Sequence, residues 1–345
     1  MSPADIADLK RLAQGIIRAQ GNRFIKELLR VKKIRIGTNK DDFERGLSDA
    51  IESGQLTLDD VQRWLNEVEG WGNQHVYLYN ISSTLRRELT LPKIREKVSA
   101  TPELAAVWDA PTLLEFPDQP KLTSISFRDS VLRIVWQEAS PGLVPVPEKN
   151  YVEQEGLDTY EYHAFRRVEW RAITRFEAHV NAGLAALFIA NPMQGVEHKA
   201  AIAEAKRVIA SLMPLPLLER GQCMIPIISR NLDQRNMPTN KVPNPAVRAQ
   251  KSRLGSGGSY VEFAANSSEK AYWEEPAIQS VRDSVRAQQL PVFHGMEGVF
   301  VFQDGNGLSR PLRVQLYGKD HRIRLRAEMD AGEVWTLLGK LSAYQ

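Results

Sequence analysis

Residues 311–326 read PLRVQLYGKDHRIRLR. Side chains two apart on an extended strand share a face. Leu312, Val314 and Leu316 therefore make one apolar row, and Ile323 and Leu325 a second. A four-residue connection from Tyr317 to Asp320 places Leu312 opposite Leu325, Val314 opposite Ile323 and Arg313 opposite Arg324. Arg322, Arg324 and Arg326 then project from the polar side. Like charges facing each other across two strands are unfavourable. This face therefore requires either carboxylates from elsewhere or a polyanion, and contacts to phosphates would be largely independent of base sequence.

The period-two pattern extends through much of the chain. In KLTSISFRDSVLRIVW, residues 121–136, Ile125 and Phe127 alternate with polar residues; Asp129-Ser130 turns, and Leu132, Ile134 and Trp136 complete a hairpin. Pro141 to Glu148 reads as loop. Residues 159–190 read as long strands turning at Asn181-Ala182-Gly183. Arg167, Arg171 and Arg175 also repeat every four, as on a helix, but aromatic and β-branched content favours strand. Helices are expected over Val196–Leu212 and Ala277–Gln289. Val299–Phe302 is a further strand, and Asp330 with Glu333 caps a last helix carrying Val334, Leu337, Leu338 and Leu341. Residues 229–259, rich in Asn, Pro, Gly, Ser and cations, read as a long mobile basic loop.

The N-terminal third has the helical period instead. Leu9, Ala13 and Ile17, then Phe24, Ile25, Leu28 and Leu29, then Phe43, Leu47, Ala50 and Ile51 define three apolar faces. Thr57 with Asp60 opens a fourth helix through Val61 and Trp64. Val76 to Tyr79 suits strand or helix, and its helical neighbours favour helix. The proline-rich stretch DAPTLLEFPDQPK, residues 109–121, reads as a linker. The expected fold is α+β: a helical domain at 1–108, a linker at 109–121 and a sheet-rich domain at 122–345.

The 345 residues suit two domains of ordinary size. Net charge is +3, yet cations are clustered. Ten basic residues and one acidic residue lie between Lys10 and Lys40, six against one in 230–253, and six against one in 310–326. Local positive density of this kind attracts polyanions, because each neutralised phosphate releases condensed counterions. Lys26, Arg30, Lys32, Lys33, Arg35 and Lys40 form the helical set of candidate contacts; Arg313, Arg322, Arg324 and Arg326 form the hairpin set. No cluster of Asn, Gln and Arg on one helix announces base reading.

Catalytic signatures are lacking. The six histidines are scattered and form no metal-binding motif, and the single cysteine, Cys223, lies in apolar GQCMIPII. Asp118 with Glu204 and Lys206 resembles a nuclease fragment, but Glu204 and Lys206 fall in a helix where that chemistry wants a strand. No apolar run is long enough to span a membrane, and MSPADIADLK does not read as a signal peptide. An intracellular setting, cytoplasm with nucleoid or nucleus, is expected, with no cofactor and no metal.

The order of a small helical domain, a hairpin SISFRDSVLRIVWQ, a strand PLRVQLYG and a helix EVWTLLGKL resembles the centromere protein N family. QLTLDDVQRWLNEVEGWGNQHVYLY is similar to that family's later pyrin-domain helices. The resemblance implies a pyrin-like helical domain and a curved, mainly antiparallel sheet domain. It also implies a non-enzymatic DNA-binding adaptor, a heteromeric protein partner on the sheet, and a basic loop at Lys40. Double-stranded DNA bound through its backbone is the expected ligand. The alternatives are a protein–protein adaptor with basic docking surfaces and a cryptic metal-dependent nuclease.

Overall fold

A computed structural model describes residues 3–19, 22–61, 64, 71, 73–110, 116–190, 199–235, 247–256, 259–265, 271–274, 276–287, 294–303, 308, 310–325 and 329–345. It combines helices with a large antiparallel sheet, an α+β architecture. Helices α1 (Pro3–Ala19), α2 (Asn22–Val31) and α3 (Lys40–Glu52) close over a core of their own. That core holds Leu9, Ile17, Ile25, Leu29, Phe43, Leu47, Val61 and Trp64, the positions marked by the helical period. Asn39 caps α3 by accepting from the Asp42 backbone N–H at 2.8 Å, and Thr57 and Asp60 bond reciprocally.

The strand order of the main sheet is β2-β3-β6-β7-β1-β12-β11-β10-β8-β9. Its members are β1 (Gln74–Asn80), β2 (Lys121–Arg128), β3 (Val131–Pro145), β6 (Phe165–His179), β7 (Leu184–Ala190), β8 (Val247–Ser256), β9 (Ser259–Ala264), β10 (His294–Phe302), β11 (Leu312–Tyr317) and β12 (Arg322–Leu325). A separate two-stranded sheet, β4 (Tyr151–Glu155) with β5 (Asp158–Tyr162), lies between β3 and β6 in the chain.

The two halves of the main sheet are covered on opposite faces. On β7, Ala186 and Phe188 point to one side, and Ala185, Leu187 and Ile189 to the other. The second side, over β2, β3, β6 and β7, is covered by α4 (Ser83–Glu88), α5 (Leu91–Ser99), α6 (Pro102–Ala105), α7 (Lys199–Leu212) and α8 (Leu215–Arg220). The first side, over β12, β11, β10 and β8, is covered by α9 (Ile225–Arg235), α10 (Pro276–Ala287) and α11 (Ala331–Ser342). Leu337, Leu338 and Leu341 of α11 are fully buried there, each contributing about 1.5–3 kcal/mol of transfer free energy. Arg23 of α2 reaches Glu333 of α11 at 3.2 Å and ties the N-terminal helices to this side.

Several expectations need correction. Val76–Tyr79 is not helical; it lies in β1 at the middle of the sheet, between β7 and β12. A strand buried on both faces shows a continuous apolar run and no alternation, so its aromatic and β-branched content was the better guide. Residues 83–105 consequently pack on the sheet, and no helical domain extends to 108. The 109–121 stretch does not separate two domains: the Asp109 N–H bonds Ile125, Ala139 bonds Pro117, and Phe116 packs on the N-terminal core. Pro141–Pro145 continues β3. Residues 229–235 are helical and 247–256 form β8, so 229–259 is not one loop; 236–246 lies outside the described residues.

Candidate nucleic-acid interface

The last hairpin has the expected faces in a different register. Val314 pairs with Leu325, Gln315 with Arg324, Leu316 with Ile323 and Tyr317 with Arg322. The connection is Gly318–His321, with His321 at φ 50°, so the ladder is shifted two residues from expectation. A shift of two preserves each side chain's face. Leu312 is therefore not opposite Leu325, nor Val314 opposite Ile323, and Arg313 is not opposite Arg324. A neutral Gln315 stands opposite Arg324 instead, so these two arginines do not face each other.

Val314, Leu316, Ile323 and Leu325 point into the core beneath α11. Arg313, Arg322 and Arg324 alternate with them and occupy the side that the described helices of this half do not cover. Register extends the row across the sheet. His75 on β1 pairs with Arg324, Gln315 with Val299, and Val299 with Lys251. One step along, Arg313 pairs with Val301, and Val301 with Arg248. At ~4.8 Å per strand, Arg324 and Lys251 stand roughly 14 Å apart on one face. Arg253 follows Lys251 on β8, giving six cations from three strands around a floor formed by Val299 and Val301.

Some of this charge is already engaged. Glu262 on β9 accepts from Arg253 at 2.6 Å and from Lys251 at 3.1 Å; these bonds hold its carboxyl below the ordinary range. Arg322 contacts Asp320 at 3.1 Å and stacks 4.6 Å from the Tyr317 ring centroid. The Tyr77 phenol is pushed up by burial, against the opposing pull of Arg322, so it borders the same face. The side chain of Arg324 makes no hydrogen bond or ion pair with another described residue. Arg326 lies outside the described residues.

The helical set divides. Arg30, Lys33 and Arg35 are exposed, and no described side chain pairs with theirs. Lys33 adopts φ 57°, the left-handed conformation in which α2 ends. Lys32 is committed to Asp60, whose carboxyl is held low chiefly by that bond. Lys26 lies 6.0 Å from the Phe43 ring centroid, and Lys40 opens α3. These helices are tied to α11 on the opposite side of the sheet from the arginine face, and no described contact joins the two basic sets.

Sequence reasoning counted Arg248, Lys251 and Arg253 in the basic 230–253 stretch but placed them in a loop and missed that they lie on a strand of this face. The available signal was the apolar pair Val247 and Ala249, which alternates with Arg248 before the ladder becomes irregular at Gln250. It also missed a buried polar centre on the other half of the sheet. The Arg175 guanidinium lies 3.7 Å from the Trp71 ring centroid and 4.6 Å from that of Phe188. Glu177 accepts from Arg133 at 2.7 Å and from Trp335 at 3.0 Å. Burial would raise the Glu177 carboxyl; Arg175, His179 and Arg133 outweigh it and hold the group at about 2.

The nuclease-like fragment is not assembled. Glu204 and Lys206 lie on α7, bonded to Arg207 and Glu219 respectively. No group of three or more potential metal ligands occurs among the described residues, and no described helix is long and apolar enough to cross a membrane. Cys223 is buried, and burial pushes its thiol up to about 12. No protein-family model matches the chain, and no curated protein matches it either.

Proposed function

We propose that this protein binds double-stranded DNA through phosphate contacts on the arginine face and acts as a non-enzymatic subunit of a larger intracellular assembly. The observation that carries this reading is the register map. It brings Arg313, Arg322, Arg324, Arg248, Lys251 and Arg253, drawn from segments far apart in sequence, to one side of three strands. Arginine suits the task because its planar fork donates two bonds to a phosphate. Contacts of this kind fix position without reading bases.

The resemblance to the centromere protein N family supports the same reading. On it, α1–α3 with the 57–64 segment correspond to a pyrin-like domain, the sheet is curved, and a heteromeric protein partner occupies part of the sheet domain. Arg30, Lys33 and Arg35 form a second, separate contact surface.

An electrophoretic shift titration of the full chain on duplex DNA tests the proposal. Six phosphate contacts give a slope of log K against log salt of about −5. The variant Arg313→Ala/Arg322→Ala/Arg324→Ala is expected to bind at least tenfold more weakly, with a slope shallower by roughly 3. Equal affinity and equal slope for the two proteins would overturn it. A protein partner retained through nuclease treatment and excess duplex, with no shift of free DNA, would favour the adaptor alternative.

A further inference from the structure

The β3–β6 ladder runs for 15 unbroken pairs, from Val131↔His179 to Pro145↔Phe165, but β7 accompanies β6 only from Thr174 onward. The ladder thus continues past the β7 pairing, and beyond it comes the small β4–β5 hairpin. The junction between the two holds a short 3₁₀ turn, Pro147–Lys149, and Asn150, whose side-chain oxygen accepts from the Ala164 N–H at 2.8 Å. All ten strand residues of the hairpin are exposed. A two-stranded hairpin is marginally stable alone in water, and this one is held by its five-pair register and by Tyr151 stacked on Tyr162 at 4.6 Å.

The composition of this arm is that of a contact surface. Leu157 sits at the tip beside Gly156, at φ 65°, and is 102% exposed; Val152 is 64% exposed. Between 148 and 161 there are five carboxylates, Glu148, Glu153, Glu155, Asp158 and Glu161, against one cation, Lys149. The arm is therefore acidic with an apolar tip. Its complement in charge lies on the same molecule: the basic face, built over the buried Val299 and Val301. Within one chain, β7 and β1 separate β6, which leads out of the arm, from β12, so the arm and the arginine face belong to different parts of the sheet.

We infer that the β4–β5 arm of one molecule docks on the arginine face of a second copy, so that the chain self-associates arm to face. A two-fold arrangement satisfies both arms and both faces at once and closes the assembly at a dimer. This inference rests on the arginine face and not on its DNA ligand. A docked arm would occupy the surface proposed for phosphates, so self-association and DNA binding would compete.

Sedimentation velocity of the full chain, without nucleic acid, at low and high salt provides the test. An arm variant carries Glu153→Lys, Glu155→Lys, Asp158→Lys and Glu161→Lys; a face variant carries Arg313→Glu, Arg322→Glu and Arg324→Glu. The expected result is a salt-sensitive wild-type dimer, with dimerisation weakened at least tenfold in each variant alone. An equimolar mixture of the two variants restores the dimer, because the reversed arm meets the reversed face. The arm positions are exposed, so the arm variant should retain the wild-type melting temperature. A wild type that stays monomeric from micromolar to submillimolar concentration, variants that dimerise as wild type does, or a mixture that fails to restore the dimer would each overturn the inference. Failure here leaves the DNA titration unaffected, and a failed DNA titration leaves this experiment unaffected.

Discussion

The indole Nε1 of Trp335 donates to the buried carboxylate of Glu177 at 3.0 Å, joining the last helix to a strand 158 residues away. The same carboxylate receives Arg133 and faces Arg175, so one acidic group compensates two arginines at the contact between α11 and the sheet. Removing one partner of a buried ionic cluster strands the others, which typically costs about 3–5 kcal/mol.

Glu177→Gln is therefore expected to lower unfolding free energy by about 3 kcal/mol in urea titrations, while Arg133→Ala, half-exposed, costs no more than about 1 kcal/mol. In the double variant Arg175→Met/Glu177→Gln the loss should be smaller than the sum of the two singles, because neither charge is left unpaired. A strictly additive cycle would contradict this account of the cluster.

The pH dependence follows in sign from the lowered folded-state pKa of Glu177. A carboxyl that titrates near 4.5 when unfolded and at about 2 when folded adds stability above its unfolded value. That stability is lost as pH falls through the window from ~4.5 to ~2. Wild-type unfolding free energy should decline across this window more steeply than that of Glu177→Gln, as read by denaturant titrations at successive pH values.

Glu333 closes a capping box with Asp330 and receives both Arg23 and Arg310. Burial alone would raise its carboxyl; the bonds to Arg310 and to the Asp330 backbone lead the influences that hold it low. Glu333→Gln keeps an acceptor for the cap while losing the charge, whereas Glu333→Ala loses both. The alanine variant should be less stable than the glutamine variant by about 1 kcal/mol, and Arg23→Ala should raise the susceptibility of the N-terminal helices to limited proteolysis.

Cys223 provides an internal reporter. With its thiol buried and pushed up to about 12, labelling by a disulfide reagent at pH 8 should be negligible in the native protein and should track global unfolding in urea. Fast labelling without denaturant would show that the segment around Leu78 and Cys223 opens locally.

The two basic sets can be separated by substitution. If the arginine face carries the phosphate contacts, Arg324→Ala should reduce the salt slope by about 1, as should Arg313→Ala. Lys33→Ala/Arg35→Ala, in the connection between α2 and α3, should change affinity independently of them. Strong non-additivity between the sets in shift assays would mean that one short duplex spans both.

What was legible in the sequence was local. The helical core positions from Leu9 to Trp64, the Asp129-Ser130 hairpin and the Asp330/Glu333 cap all depend on residues a few places apart, and each is found as expected. The alternation of Arg322, Ile323, Arg324 and Leu325 identified a basic face correctly, but not its register, because a slip of two residues leaves every side chain on the same side. Among the strands that escaped, two did so for opposite reasons. His75–Tyr79 is apolar on both faces and so has no alternation, and Val247–Ser256 is so polar that an irregularity at Gln250 concealed what alternation it had. The arginine face was accordingly seen as one hairpin when its cations come from three strands across a span of four.

The central position of β1 also governs how the molecule is made. Its neighbours are β7, just over a hundred residues later, and β12, which follows it by nearly 250. Until Arg322–Leu325 has been synthesised, one long edge of β1 offers unpaired amides and carbonyls in the middle of a half-formed core. A contact order this high implies slow folding and an aggregation-prone nascent chain, one that would benefit from a chaperone until the final hairpin seals the gap.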